Sequence, residues 1–191
     1  MEVVSNLKTK DYAVYVLRLG HRTERDKRIT THVGLVGRAF GADGIFIAGE
    51  RDENVKKSLE KVVMAWGGPF RVKIGVSAKK LIREWKLRGG EIIHLTMYGI
   101  PLPDVIEEIR KSKKDKLVVV GAEKVPSWIF DTADWNVSIT NQPHSEVAAL
   151  AIFLHELFEG REFEFEFEDA KIKVIPSIRG KKIVKVEKVR N

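Results

Sequence analysis

The chain has 191 residues, 43% of them hydrophobic, which fits one globular domain with an ample core. Lysine and arginine total 34 against 27 acidic residues, and the net charge of +7 favours a polyanionic partner, nucleic acid first. The absence of cysteine excludes disulfides, thiolate metal sites and cysteine nucleophiles. No apolar stretch approaches the roughly 20 residues of a membrane span, and the first residues lack the apolar core of a signal peptide. We therefore expect a cytoplasmic protein without a membrane partner.

The predicted elements alternate between strand and helix along most of the chain. Residues 12–19 form an apolar run typical of a buried strand, and residues 20–28 are predicted as a charged loop. A helix is predicted at 30–41, with Thr30 or Thr31 as its cap and Gly41 at its end. Further strands are predicted at 44–49, 70–76, 91–99, 116–121 and 135–140. Further helices are predicted at 54–66, 77–89, 103–113 and 146–158, with one or two helical turns at 127–134.

This alternation predicts an α/β fold in which a parallel sheet carries helices on both faces. The last part of the chain differs. In residues 161–169 Phe163, Phe165 and Phe167 alternate with acidic residues, and two short strand patterns follow on either side of Arg179 and Gly180. We expect one domain at 1–160 and a short antiparallel β appendage of the same domain at 161–191.

Three predicted strands end in unusual loops, at 95–103, 121–126 and 140–146. In open parallel sheets ligands bind outside the carboxyl ends of the strands. Gly99 and Gly121 permit a close backbone approach, and the helix after Asn141 offers free amide donors. Neither a glycine-rich dinucleotide fingerprint nor a P-loop is present, and the five histidines do not cluster as metal ligands, so no metal site is expected.

The stretches VLRLGHRTERDKRITTHVGLVGRAFGADGIFIAG, VVVGAEKVP and ITNQPHSEVAALA resemble three motifs of the archaeal tRNA (cytidine(56)-2'-O)-methyltransferase family, a branch of the SPOUT superfamily. The resemblance covers about residues 12–158. It implies a C-terminal trefoil knot, a homodimer, S-adenosylmethionine as cofactor, and methylation of the ribose 2'-hydroxyl of a cytidine in the tRNA T-loop.

The resemblance also implies that the three loops hold the cofactor. The corresponding residues are Leu95, then Gly121, Ala122, Glu123, Lys124 and Val125, then Ile139, Thr140, Asn141, Gln142, Pro143, His144, Ser145 and Glu146. Helix capping by Pro143 and Ser145 is the alternative interpretation of the third loop. Ala149 and Phe153 lie off the main apolar stripe of the following helix, which predicts a contact with a second subunit.

Related ribose methyltransferases usually keep an arginine six residues before the glycine that corresponds to Gly41, where this chain has Leu35. The catalytic arginine must then come from elsewhere. Arg18 closes the first strand and is our candidate for positioning the 2'-hydroxyl or stabilising its developing charge, with Arg28 as the second candidate.

The basic residues after the first strand are predicted to contact tRNA phosphates, namely Arg22, Arg25, Lys27 and Arg28. Three alternatives remain open from the residues alone. The segment could be a solvated loop, the protein could be a non-enzymatic RNA-binding module, or a related enzyme could methylate a base or another nucleotide.

Overall fold

A computed structural model describes residues 11–121 and 124–186. Its elements follow the order β1 (Val14–His21), α1 (Thr23–Ala39), β2 (Gly44–Gly49), α2 (Glu53–Trp66), β3 (Arg71–Val76), α3 (Ala78–Leu87), β4 (Glu91–Pro101), α4 (Leu102–Lys111), β5 (Lys116–Val120), α5 (Ser127–Thr132), β6 (Trp135–Ser138), α6 (Glu146–Phe158), β7 (Ile172–Val174) and β8 (Ile183–Lys185). A 3-10 helix, Arg161–Glu164, lies between α6 and β7. No helix among these residues is long and apolar enough to cross a membrane.

Strands β1 to β6 form one parallel sheet in the order β3-β2-β1-β5-β4-β6. Alternate residues of each strand face opposite sides, so the core has two layers. In β1, Val14 and Val16 pack under α1, α2, α4 and α6, whereas Leu17 and Leu19 pack under α3 and α5. The predicted parallel sheet with helices on both faces is confirmed.

The predicted charged loop at 20–28 is wrong, because β1 continues to His21 and α1 begins at Thr23. Acidic side chains satisfy the free amides at the start of this helix. Asp26 accepts a hydrogen bond from the Arg22 amide at 3.0 Å, and Glu50 accepts one from the Thr23 amide at 2.7 Å. The predicted caps are also wrong, since Thr30 is buried inside the helix, where its hydroxyl lies 2.9 Å from Nδ1 of His21.

The predicted antiparallel hairpin is confirmed at β7 and β8, with Gly180 in a left-handed conformation between them. The end of its predicted second strand, residues 187–189, lies outside the described residues. The alternation of phenylalanines does not form a strand. Phe165 packs on Phe158 and against Gly41, Phe167 lies under the guanidinium of Arg38 at 4.3 Å, and Phe163 is 78% exposed.

The predicted outward position of Ala149 and Phe153 is wrong. Both residues are buried in the core of their own chain, because α6 packs on the sheet and also against α1 and α4. Their side chains therefore stabilise the monomer and give no support for a subunit contact.

Replacing Phe153, which is fully buried, with alanine should lower the free energy of unfolding by about 3–5 kcal/mol. The neighbouring Ile152 is 45% exposed, and Ile152→Ala is the matched control, with an expected change within about 0.5 kcal/mol. Urea denaturation of the two variants tests this. Equal losses would contradict the burial of Phe153.

Candidate active site

A cavity of about 670 Å³ lies at the carboxyl ends of β1, β4 and β5, next to the start of α6. This is the edge of a parallel sheet at which ligands bind. Ten of the predicted site residues line it, namely Arg18, Arg22, Arg25, Leu95, Gly121, Lys124, Val125, Pro143, His144 and Glu146. All three predicted loops therefore meet at one place.

The first loop is an excursion within β4. Leu95 and Ile100 both pair with Val137 of β6, so the four residues between them leave the sheet. Three of these, Thr96, Met97 and Tyr98, line the cavity, although none was predicted as a site residue. The fourth, Gly99, approaches β6 so closely that a Cβ atom would lie 2.5 Å from the carbonyl of Asn136. Only glycine permits this excursion without moving β6.

The second loop follows β5. A Cβ atom on Gly121 would lie 2.1 Å from Cγ2 of Val125, so the loop closes on itself where it borders the cavity. Lys124 is exposed at the cavity wall, whereas Val125 is half-buried against the core layer under α3 and α5. The predicted residues Ala122 and Glu123 lie outside the described part of the chain.

The third loop both caps a helix and borders the cavity. Ser145 caps α6 by accepting a hydrogen bond from the Val147 amide at 3.2 Å. The Asn141 side chain donates to the carbonyl of Met97 at 2.7 Å, which ties the third loop to the first. The predicted residues that shape the loop without lining the cavity are Ile139, Thr140, Asn141, Gln142 and Ser145.

Arg18 forms part of the cavity floor and is only 1% exposed. Its Nη2 atom lies 3.1 Å from Oε1 of Glu146, and Nη1 donates to the carbonyl of Leu19 at 2.9 Å. Its Nε atom has no hydrogen-bond partner among the described residues. Burial lowers the pKa of Arg18, and Glu146 opposes this effect. An arginine remains protonated in such a site, so Arg18 is a fixed cation with an unused donor.

The two arginines at the mouth of the cavity lie at the start of α1. Arg22 holds Asp26 through an Nε–Oδ2 hydrogen bond of 2.8 Å, and this contact lowers the pKa of the Asp26 carboxyl. Arg25 is exposed at the cavity wall. Lys27 and Arg28 are exposed on α1 but do not line the cavity. Of the two arginines predicted to be catalytic, Arg18 lines the cavity and Arg28 does not.

His94 is a cavity residue that sequence analysis missed. It lies on β4, fully buried, with Nδ1 2.8 Å from Oδ1 of Asn136. The Asn136 amide nitrogen donates to the carbonyl of Phe130, so its oxygen accepts the proton of His94 Nδ1. Nε2 is then an acceptor, and it has no partner among the described residues. The only sequence signal was a histidine within an otherwise buried strand.

Burial lowers the pKa of His94 below 6.5, although its hydrogen bond to Asn136 raises it in part. Below pH 6.5 the unfolded chain takes up this proton before the folded chain does, so stability falls as pH drops toward the folded pKa. Well above pH 6.5 His94 is neutral in both the folded and the unfolded chain, so it makes no contribution to the pH dependence of stability. We expect His94→Gln to lose less stability than the original chain between about pH 7 and pH 5.

Urea denaturation of both proteins across this pH range measures the difference directly. Parallel pH profiles would show that His94 is protonated equally easily in the folded and unfolded chains.

Comparison with known proteins identifies the family. Residues 66–184 match the model of a family described as tRNA ribose 2'-O-methyltransferase, aTrm56. The chain belongs to this family. A tRNA (cytidine(56)-2'-O)-methyltransferase of Hyperthermus butylicus is 59% identical over 174 residues, covering 91% of this chain and 93% of the relative. The enzyme of the same description from Thermococcus kodakarensis is 59% identical over 177 residues, covering 91% of this chain and 98% of the relative. The family indicated by the sequence motifs is confirmed.

Two solved structures share the fold of this chain at low sequence identity. The SpoU methyltransferase AviRb of Streptomyces viridochromogenes, solved with AdoMet, aligns with a TM-score of 0.56 at 16% identity, covering 80% of this chain and 58% of that one. A TrmH/SpoU tRNA-modifying enzyme of A. aeolicus aligns with a TM-score of 0.54 at 17% identity, covering 81% of this chain and 77% of that one. At this identity the likeness shows the fold alone, which this chain shares with SpoU methyltransferases.

Proposed function

We propose that this protein methylates the ribose 2'-hydroxyl of cytidine 56 in tRNA, with S-adenosylmethionine as the methyl donor. The observation that carries the proposal is the meeting of the three motif loops around one cavity with Arg18 on its floor. The close relatives act on this nucleotide according to their description, and the chain spans nearly their full length.

The residues present fit the cofactor. The volume of about 670 Å³ lies within the range of small-molecule sites, and the wall combines apolar side chains with backbone groups and a few charges. Gly121 leaves the backbone accessible, while Leu95 and Val125 give apolar surface. Pro143 and His144 of the third loop complete the lining. When bound, S-adenosylmethionine supplies an electrophilic methyl group on its sulfonium.

A ribose hydroxyl is a weak nucleophile, so its alignment and the stabilisation of its developing negative charge are the tasks left to the protein. Arg18 suits these tasks because it is a fixed cation with one donor unused. It is a poor general base, since it stays protonated. Glu146 orients the guanidinium through the Nη2 contact and balances its charge.

Phosphate contacts are assigned to the exposed cations of α1. Arg22 and Arg25 stand at the cavity mouth, where an entering ribose brings its own flanking phosphates. Lys27 and Arg28 extend the positive surface along the same helix, away from the cavity.

Several expectations of assembly belong to this proposal. We assign to the protein a homodimer, a cytoplasmic location and a knotted C-terminal segment. Light scattering at working concentration tests the dimer, and a mass near the 21.7 kDa of one chain would contradict it.

Residues 161–191 are assigned to the same domain as 1–160. This is supported by Phe165 on the core and by the Gly68 amide, which donates to the carbonyl of Glu168 at 2.8 Å.

Substitution of Gly121 by valine should abolish cofactor binding. The new side chain collides with Val125, and the loop that borders the cavity must shift. Isothermal titration calorimetry with S-adenosylmethionine measures the loss, and circular dichroism checks that the variant is folded. A folded variant with the original affinity would remove Gly121 from the site.

Substitution of Arg18 by alanine should slow single-turnover methylation by about 10²–10³, the usual effect of losing one donor to a developing charge. Arg18→Lys should also be strongly impaired, because an ammonium does not reproduce the planar guanidinium. Cofactor affinity is the control, since a collapsed cavity would lower it as well. A normal rate in Arg18→Ala together with a slow Arg28→Ala would move the assignment to Arg28.

The proposed activity is tested by incubating the protein with labelled S-adenosylmethionine and unmodified tRNA and then mapping the methyl group. A 2'-O-methyl on cytidine 56 supports the proposal. A methylated base or another nucleotide indicates the related-enzyme alternative. Binding of tRNA without any methyl transfer or cofactor binding indicates a non-enzymatic RNA-binding module.

A further inference from the structure

A second concave surface lies between α3 and α5, on the face of the sheet opposite α1. This groove has a volume of about 420 Å³. It is lined by Lys79, Ile82, Arg83, Lys86, Leu87, Trp128 and Thr132. None of these residues contributes to the cavity of the candidate active site.

The floor of the groove is apolar and aromatic. Trp128 is partly buried against the core layer that contains Ile82 and Ile129, so its ring is held in place by packing. Leu87, at the end of α3, remains 79% exposed beside it. The ammonium of Lys79 lies 5.5 Å from the centroid of the Trp128 ring, within range of a cation–π contact.

The rim of the groove is cationic. Helix α3 and its C-terminal cap carry the basic residues Lys79, Lys80, Arg83, Lys86 and Arg88, with Glu84 as the acid between them. Lys86 is held by the Thr132 carbonyl and by Asp134, each at 2.9 Å. Lys79 and Arg83 are exposed where they line the groove, and no acidic residue of the described chain lines it.

An aromatic ring flanked by exposed cations matches the chemistry of an unstacked nucleotide. A base stacks on the ring face, and the neighbouring phosphates contact lysine and arginine. An acidic protein surface would use the cations but would offer no stacking partner to the Trp128 ring that lines the groove. A second copy of this chain would bring like charge to the groove, because the chain carries +7 overall.

The position of the groove connects it to the proposed substrate. Helix α5 separates it from the active-site cavity and contributes to both. Phe130 lines the cavity, whereas Trp128 and Thr132 of the same short helix line the groove. RNA bound at the cavity mouth can reach the groove by crossing one helix.

We propose that the groove between α3 and α5 is a second tRNA contact, in which Trp128 stacks on an unpaired base and Lys79 and Arg83 bind the adjacent phosphates. The inference rests on the proposed function, because it takes tRNA as the substrate. It adds a contact surface on the face opposite α1, which carries the arginines of the cavity mouth.

The first test compares two double variants of equal charge change. Lys79→Ala with Arg83→Ala should weaken tRNA binding and reduce the slope of log affinity against log salt by about 1.4 to 1.8, the contribution of two phosphates. Lys57→Ala with Lys61→Ala removes two exposed cations from α2, on the other face of the sheet, and is the control. An equal change in both double variants, or no change in either, would overturn the proposal.

The second test concerns stacking. Trp128→Phe should bind tRNA nearly as well as the original chain, and Trp128→Leu should bind about fivefold to a hundredfold more weakly. Leu87→Glu places a negative charge in the groove at an exposed position, so it should weaken binding without affecting the fold. Full affinity in both Trp128→Leu and Leu87→Glu would overturn the stacking role.

The cofactor assay separates this inference from the proposed function. All groove variants should bind S-adenosylmethionine with the original affinity, because the groove and the cavity share no residue. If the original chain methylates cytidine 56 and the groove variants bind tRNA normally, the groove proposal alone is wrong. If the original chain transfers no methyl group to tRNA, the proposed function fails whatever the groove binds.

Discussion

The ion pair between Arg18 and Glu146 connects the end of the first strand to the start of the last helix at the floor of the cavity. A buried guanidinium without a partner is strongly unfavourable, so this pair restricts where α6 can begin. The third loop leads into α6, so the pair ties its end to the end of β1, and Asn141 joins the same loop to the excursion of β4. The pair and the Asn141 hydrogen bond thus link the first strand to the first and third loops.

Glu146 has two simultaneous roles that follow from its position. It lies in the first turn of α6, where a carboxylate is favoured by the helix dipole, and it also neutralises Arg18. The opening of α6 is therefore both a capped helix start, through Ser145, and a wall of the site. Capping and ligand binding, which the sequence presented as alternatives, are compatible at this junction.

Much of the fold follows from local patterns. The apolar runs located the strands of the parallel sheet, and Ser77 and Ser145 cap α3 and α6 as their position before an amphipathic segment indicates. The site was located by the rule that ligands bind at the carboxyl edge of a parallel sheet. That rule indicated the loops and Gly121, and the family resemblance added Leu95, but neither gave any indication of His94 within the strand.

Three features could not be inferred, because they depend on distant partners. The density of charge at 20–28 predicted a loop, yet a helix begins at Thr23, whose amide donates to Glu50, 27 residues away in the sequence. The excursion at 96–99 is defined by pairing with Val137, which no local pattern shows.

The phenylalanines of the tail are the third feature. They alternate as in a strand, but Phe165 and Phe167 pack on glycine turns of the main domain, at Gly41 and Gly68. The partners of these rings lie far away in the sequence, so the local alternation was misleading.

The strand order has a consequence for the order of synthesis. The central strand β1 pairs with β2 on one side and with β5 on the other, where Val14 is opposite Lys116. A chain emerging from the ribosome can pair β1, β2 and β3 early, but the other half of the sheet must wait for β5. Pairing between such distant segments is slow, because a long loop must close first. Arg18 therefore stays without Glu146 until the final third of the protein is made, and the cavity that both residues line is complete only once α6 has been synthesised.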